Sequence, residues 1–360
     1  MRQFKFGSAL LMTIVLVGCG GGGSDVPAKT QFASQVSFGD SLSDVGSYQV
    51  GLIALSGGGQ FTINAASSVK AFTPTNWTEM TSVRLGIAGG LPCAAVTGGF
   101  GVASAVHPGC YGYAEGGARV TSASGVGNIG AGGPMTLPVV TQIATHLAAV
   151  GNKFSGNEIV YVMAGANDVF TQAGAVSLGL PAASAVANIQ TAATELAAQI
   201  NNNLLGKGAT HVVVINVPDI ASTPQVTSIA SAVVQAQTAG LMDTLVTTFN
   251  ATLKAGVPDS ANVLNVDAYS ASKDEVANPG KYLLTNVTST ACNLNLPANV
   301  LATSNVGDTG SSLVCNANNL NAGVLPTDHY LFADKVHPTP YGHLLFATYV
   351  LQAMTNKGWY

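Results

Sequence analysis

Charge is scarce in this chain. Asp, Glu, Lys and Arg make up 8% of 360 residues, and the 13 basic side chains form no run or stripe. That leaves nothing to track a phosphate backbone, so nucleic acid is set aside as a partner. Metal-ligand spacing is also missing, with no Cys-x-x-Cys and no His-x-x-x-His pair. A zinc site therefore has no support in the pattern. After the first residues no apolar run is long enough to suggest a second membrane span, and no internal repeat is visible. Gly, Ala, Ser, Thr and Asn fill the space instead, with 42 glycines among them.

The chain opens Met1-Arg2-Gln3-Phe4-Lys5 and continues with apolar residues to Val17. A basic start and a short apolar core read as a secretory signal, too short for a spanning helix. Leu16-Val17-Gly18-Cys19 resembles the bacterial lipobox, whose cysteine becomes the lipidated first residue of the mature protein. The resemblance implies a signal over residues 1–18 and a lipid on Cys19. Gly20 to Gly23 and Ser24 read as a flexible tether, assigned to residues 19–32. Gly rather than Asp at position 20 implies sorting to the outer membrane. The expectation is an exported bacterial lipoprotein held to the membrane by its N-terminal lipid. Loss of Arg2 and Lys5 moves the formal charge from −4 to about −6.

Four further cysteines remain, Cys93, Cys110, Cys292 and Cys315. An even number in an exported chain reads as disulfides, with metal ligation the alternative. Local closure pairs Cys93 with Cys110 and Cys292 with Cys315, each across a Gly- or Asn-rich loop.

β-prone runs lie near residues 35, 112, 160, 213 and 264. Helical spacing appears over 47–56, 76–85, 137–150, 182–205, 224–253 and 339–355. Residues 61–70 read as a short β excursion, and 86–110 and 277–330 as irregular loops. Strands separated by helices predict one parallel sheet of five strands with helices on both faces. Residues 33–360 are expected to form a single domain.

Val36-Ser37-Phe38 is an apolar run broken by Gly39, and Ser41 follows two residues later. A serine there sits at the carboxyl edge of a parallel sheet, where ligands bind. It also sits near unpaired helix N–H groups that suit an oxyanion. Gly-Asp-Ser is equally the composition of a simple capped turn. Three more stretches have the shape of a site. Gly116-Gly117 follows the run near 112 and offers a bare backbone N–H. Gly165-Ala166-Asn167-Asp168 follows the run near 160, and Asn167 brings amide donors. Asp334 stands three residues before His337, close enough to orient its ring. Each has a plain reading too: a turn for the glycines, a helix cap for Asn167 and Asp168, a surface side chain for His337. His107 has Ser104 rather than an acid three residues earlier, His343 is read as a surface or supporting residue, and His329 beside Asp328 is the rival acid–histidine pair.

Together and in this order the four stretches resemble the SGNH/GDSL family of serine esterases and lipases. Gly39-Asp40-Ser41-Leu42-Ser43-Asp44 matches its first block and Gly165 to Asp168 its third. Asp334 to Pro338 matches the fifth, and Gly117, with Gly116 beside it, the second. Gly112 stands where the family often has Asn. The resemblance implies a flavodoxin-like three-layer α/β fold carrying two loop insertions. It implies hydrolysis of acyl esters through an acyl-enzyme, with Ser41 as nucleophile, His337 as base then acid, and Asp334 as orienting carboxylate. The oxyanion hole would be the N–H groups of Ser41 and Gly117 and the amide of Asn167. No metal or organic cofactor is implied. An esterase or lipase is the leading expectation, with a phospholipase or carbohydrate deacetylase next. A non-catalytic surface-binding lipoprotein is the reading from another class, disfavoured because Ser41, His337 and Asn167 are all present.

Overall fold

The structure is a computed structural model in which residues 30–66, 68–128, 130, 132–295 and 310–360 are described. The signal and the lipobox Cys19 lie outside the described residues. The strands are β1 (Ser34–Gly39), β2 (Val96–Gly99), β3 (Val102–Val106), β4 (Glu158–Met163), β5 (Val212–Ile215), β6 (Val263–Val266), β7 (Asn286–Thr290) and β8 (Tyr330–Phe332). The helices are α1 (Gly51–Leu55), α2 (Trp77–Leu85), α3 (Val139–Ala149), α4 (Ala166–Ser177), α5 (Ala182–Gln199), α6 (Pro224–Thr227), α7 (Ala232–Gly256), α8 (Ala268–Ala277) and α9 (Pro340–Lys357).

All six residues of β4 are buried. A strand with both faces covered belongs inside a parallel sheet flanked by helices. It lies between β1 and β5 in a parallel sheet ordered β1-β4-β5-β6. Alternate residues divide between two cores. Val36, Val160, Val162, Val212 and Val214 pack with Ile143 of α3, Leu196 of α5 and Leu245 of α7. Ile159, Tyr161, Met163 and Ile215 pack with Trp77 of α2 and Met354 of α9. The period of two along the strands thus produces helix, sheet and helix as three layers.

The sheet has four strands where five were expected. The segment near residue 112 makes a single bridge to β1, with the Ser37 N–H donating to Tyr111 O at 3.1 Å and the Tyr113 N–H to Ser37 O at 2.8 Å, and another to Ala94. It runs no further because the disulfide at Cys110 precedes it and a turn at Glu115–Gly117 follows at once. That bridge still occupies the place beyond β1. In chain order the five segments lie 2-1-3-4-5, the flavodoxin-like arrangement, whose switch point falls between β1 and β4.

Other differences are local. α4 and α8 were not expected from the periodicity. The run 224–253 is divided into α6 and α7, with Ser231 capping α7. α5 ends at Gln199 and passes into one π-helical turn, Ile200–Leu204. Residues 61–70 form no strand; Asn64 makes one bridge, to Asn316. The loop 86–110 holds the antiparallel β2–β3 hairpin, and 277–330 holds β7, which pairs with β8. Both disulfides, Cys93–Cys110 and Cys292–Cys315, are present. Among the described residues no helix is long and apolar enough to cross a membrane.

Candidate active site

β1 ends at Gly39, whose φ is +150° and whose backbone lies against β4. A side chain there would bring Cβ within 2.0 Å of Met163 O, so the position requires glycine. Gln142 of α3 clamps this end, accepting from the Gly39 N–H and donating to its carbonyl, both at 2.8 Å. Asp40 then caps a 3₁₀ turn, Ser41–Ser43, by accepting from the Leu42 N–H at 3.1 Å. Burial pushes the Asp40 carboxyl up to about 7. Ser41 is thereby presented at the switch point.

The loop after β8 supplies the partners. His337 Nε2 lies 2.8 Å from Ser41 Oγ, and Nδ1 lies 2.7 Å from Asp334 Oδ2. A carboxylate only accepts, so Nδ1 carries the proton and Nε2 is left to take one from Ser41. Asp334 is 2% exposed and also accepts from the N–H groups of Ser312, Val336 and His337. Burial alone would push its carboxyl up. The facing imidazole and these donors outweigh burial and hold it well below the usual carboxylate range.

The second and third stretches are stitched to the first. Asp44 accepts from the N–H groups of Gly46, Ser47 and Gly116 and from the Ser47 hydroxyl. The Gly116 N–H is therefore occupied, whereas the N–H of Gly117 donates to no acceptor among the described residues. Gly117 has φ +78°, and a Cβ there would meet Val126 O at 2.3 Å. Asp168 is no simple cap. It pairs with Arg119 Nε at 3.0 Å and accepts from the Val120 N–H at 3.0 Å. Asn167 donates one amide hydrogen to Ala118 O at 2.9 Å, which leaves the other to point elsewhere. Asp44, Gln142 and Arg119 were missed as positioning residues. For Asp44 alone a signal existed, since it stands three residues after Ser41 in the same stretch.

Ser41, Gly117, Asn167 and His337 all line one cavity of about 1090 Å³. It extends along α4, where Asn167, Phe170, Gly174 and Ser177 recur at helical spacing on one face. Opposite them on α7 stand Val234, Thr238 and Leu241, again one face. One face of α8 lines the same cavity. His343 is not a surface residue: it is 1% exposed, lines the cavity, and burial pushes its imidazole down to about 3. The first turn of α9 carries it inward. His107 lies outside the cavity, bonded to Thr97. His329 stacks on Tyr341 at 3.7 Å between centroids and faces Leu283 O, not Asp328.

Residues 36–350 match the family model described as GDSL-like lipase/acylhydrolase. No curated protein matches the chain.

Proposed function

We propose that this chain, which belongs to the GDSL-like lipase/acylhydrolase family, is a serine esterase of acyl esters. The observation that carries the reading is the continuous line Ser41–His337–Asp334, with bonded distances of 2.8 and 2.7 Å, opening on a cavity. Ser41 Oγ attacks the ester carbonyl while His337 Nε2 takes its proton. The developing oxyanion is met by the N–H groups of Ser41 and Gly117 and the Asn167 amide. His337 returns the proton to the leaving oxygen, and water then releases the acyl group from Ser41 by the same steps. Asp334, kept ionised, fixes the ring and favours the imidazolium formed in each step.

The groove between α4 and α7 takes the acyl chain. It starts at the oxyanion amide of Asn167 and passes Phe170 and Leu241 toward the exposed Val234. The ten residue steps along α4 from Asn167 to Ser177 advance about 15 Å. An extended chain of about 12 carbons fills that length, at about 1.3 Å per methylene. The groove favours acyl esters of this length over acetylated sugars.

The test is hydrolysis of a short-chain chromogenic ester together with phosphonylation of Ser41 by a fluorophosphonate. A folded protein that does neither refutes the assignment. Lipidation of Cys19 and anchoring at the outer membrane belong to the same proposal, supported by Leu16-Val17-Gly18-Cys19. Cys19→Ser is expected to release the protein from membranes or to block processing. Unchanged fractionation and unchanged N-terminal mass would sink that part.

A further inference from the structure

One face of α8 lines part of the cavity. Ala268, Ser272, Glu275 and Val276 line it, at positions four, seven and eight residues along from the first. The loop around Asp219 lines the cavity next to this face, the Asp219 N–H donating to Ser272 Oγ at 2.9 Å. Where this part of the cavity meets the reaction centre it is bordered by Lys335 and Val336, the two residues before His337.

Among the described residues Glu275 is the one buried acid that accepts no hydrogen bond; Asp40, which also lines the cavity, accepts from the Leu42 N–H. Asp44, Asp168, Asp219 and Asp334 each accept at least two hydrogen bonds. Glu275 is 8% exposed, yet it makes no hydrogen bond and no ion pair with any described residue. Burial, with the like charge of Asp274 adding to it, pushes its carboxyl up to about 7. Glu115 also has an oxygen without a partner, but that atom is sealed in and the residue does not line the cavity. The Glu275 oxygens are not sealed in this way, and the residue faces the cavity. A buried acceptor left open on a cavity costs free energy until a donor reaches it.

The direction of the chemistry says which half of an ester arrives there. The imidazole that protonates the leaving oxygen must stand beside it. The alcohol therefore departs on the His337 side, while the acyl chain runs from Asn167 along α4. We propose that the part of the cavity lined by α8 binds the leaving alcohol and that Glu275 selects alcohols carrying a hydrogen-bond donor, hydroxyl or ammonium. The inference rests on the ester-hydrolase reading and adds the nature of the alcohol to it.

Octanoate esters of matched shape test it. The 2,3-dihydroxypropyl ester is compared with the 2-methylbutyl ester, in which a methyl replaces each hydroxyl. The 3-(dimethylammonio)propyl ester is compared with the 4-methylpentyl ester. The wild type is expected to favour at least one polar ester over its apolar match by roughly tenfold in kcat/KM. Glu275→Leu is expected to bring that ratio to about one while leaving the apolar esters within about threefold of wild type. Glu275→Gln, which keeps an acceptor but no charge, separates the sources: it retains a preference for hydroxyls and loses one for the cation. Equal rates in the wild type, or a preference that survives in Glu275→Leu, overturn the inference. So does an equal fall of polar and apolar esters in both variants, which marks a structural role. If the wild type cleaves none of these esters but does cleave the short-chain chromogenic ester, this inference alone is overturned; if it also fails with that ester and with the fluorophosphonate, the hydrolase reading has failed with it.

Discussion

The two ends of the cavity are built on opposite plans. At the reaction end each carboxylate is held by hydrogen bonds: Asp40 takes one N–H, Asp44 takes four donors, and Asp334 takes its imidazole and three N–H groups. Those bonds hold Ser41, Gly117 and His337 at fixed spacing. Away from the reaction end the walls are helix faces: apolar ones on α4 and α7, with Phe170 and Leu241, and the face of α8 with Glu275, a carboxyl that makes no hydrogen bond with any described residue. Chemistry that is common to all esters needs fixed geometry, and preorganised donors supply it. Choice among esters needs shape and unfilled valence, which helix faces and an open acceptor supply. Damage at the first end should lower every rate, and damage at the second should reorder substrates.

The largest effect is expected at Ser41 and His337. Ser41→Ala and His337→Ala should each reduce kcat by roughly 10⁴–10⁶ on short and long esters alike, and should do little more in combination. A Ser41→Ala protein that stays folded and keeps most of its activity would break the comparison at its base. Asn167→Ala is expected to cost roughly 10²–10³ in kcat with a smaller change in KM, because the amide acts where charge develops. A loss carried by KM alone would move Asn167 to the binding end. At that end, Thr238→Trp should fill the groove. Dodecanoate hydrolysis is expected to fall at least about tenfold while butyrate hydrolysis holds, read as kcat/KM over a chain-length series. A uniform fall across the series would mean that the groove is not where the acyl chain lies.

The smallest effect concerns stability. Burial pushes Glu115 from 4.5 up to about 8, although its carboxyl accepts from the Leu137 N–H at 2.9 Å. Between those pH values the folded chain holds a proton that the unfolded chain has released. The unfolded state then binds fewer protons, so this group lowers stability as pH rises through the window. Asp334 has the opposite sign: its contribution is present above its unfolded value and is lost only in acid. Glu115→Gln cannot ionise, so its Tm should fall less than that of wild type between pH 5 and pH 8. Parallel Tm curves for the two proteins would show that Glu115 does not carry this dependence.

The legible parts of this molecule were those written in short stretches. Val36 to Asp44 foretold a strand, a glycine stop and a serine at the edge, and Asp334 to His337 foretold an acid beside a histidine ring. β4 was legible because a strand buried on both faces is an unbroken apolar run. α4 was not read as a helix: Gly165 at its start and Gly174 within it obscure the period. α8 was hidden because its buried residues are few and its exposed face carries the charges. The fifth strand was legible as a β-prone run, but its length was set by neighbours, the disulfide before it and the Asp44-bound turn after it.

By itself, then, the sequence determined the order of the β-prone runs of the main sheet, the disulfide pairs and the short motifs, because each depends on residues near one another in the chain. Tertiary structure alone decided that His337 reaches Ser41 across 296 positions. It decided that Gly116 spends its N–H on Asp44 while Gly117 does not, and that His343 turns inward. It also set Phe170 against Leu241 and left Glu275 open. Those outcomes depend on which distant groups the sheet brings to one edge, and a carboxyl's partners are known only once that edge is assembled.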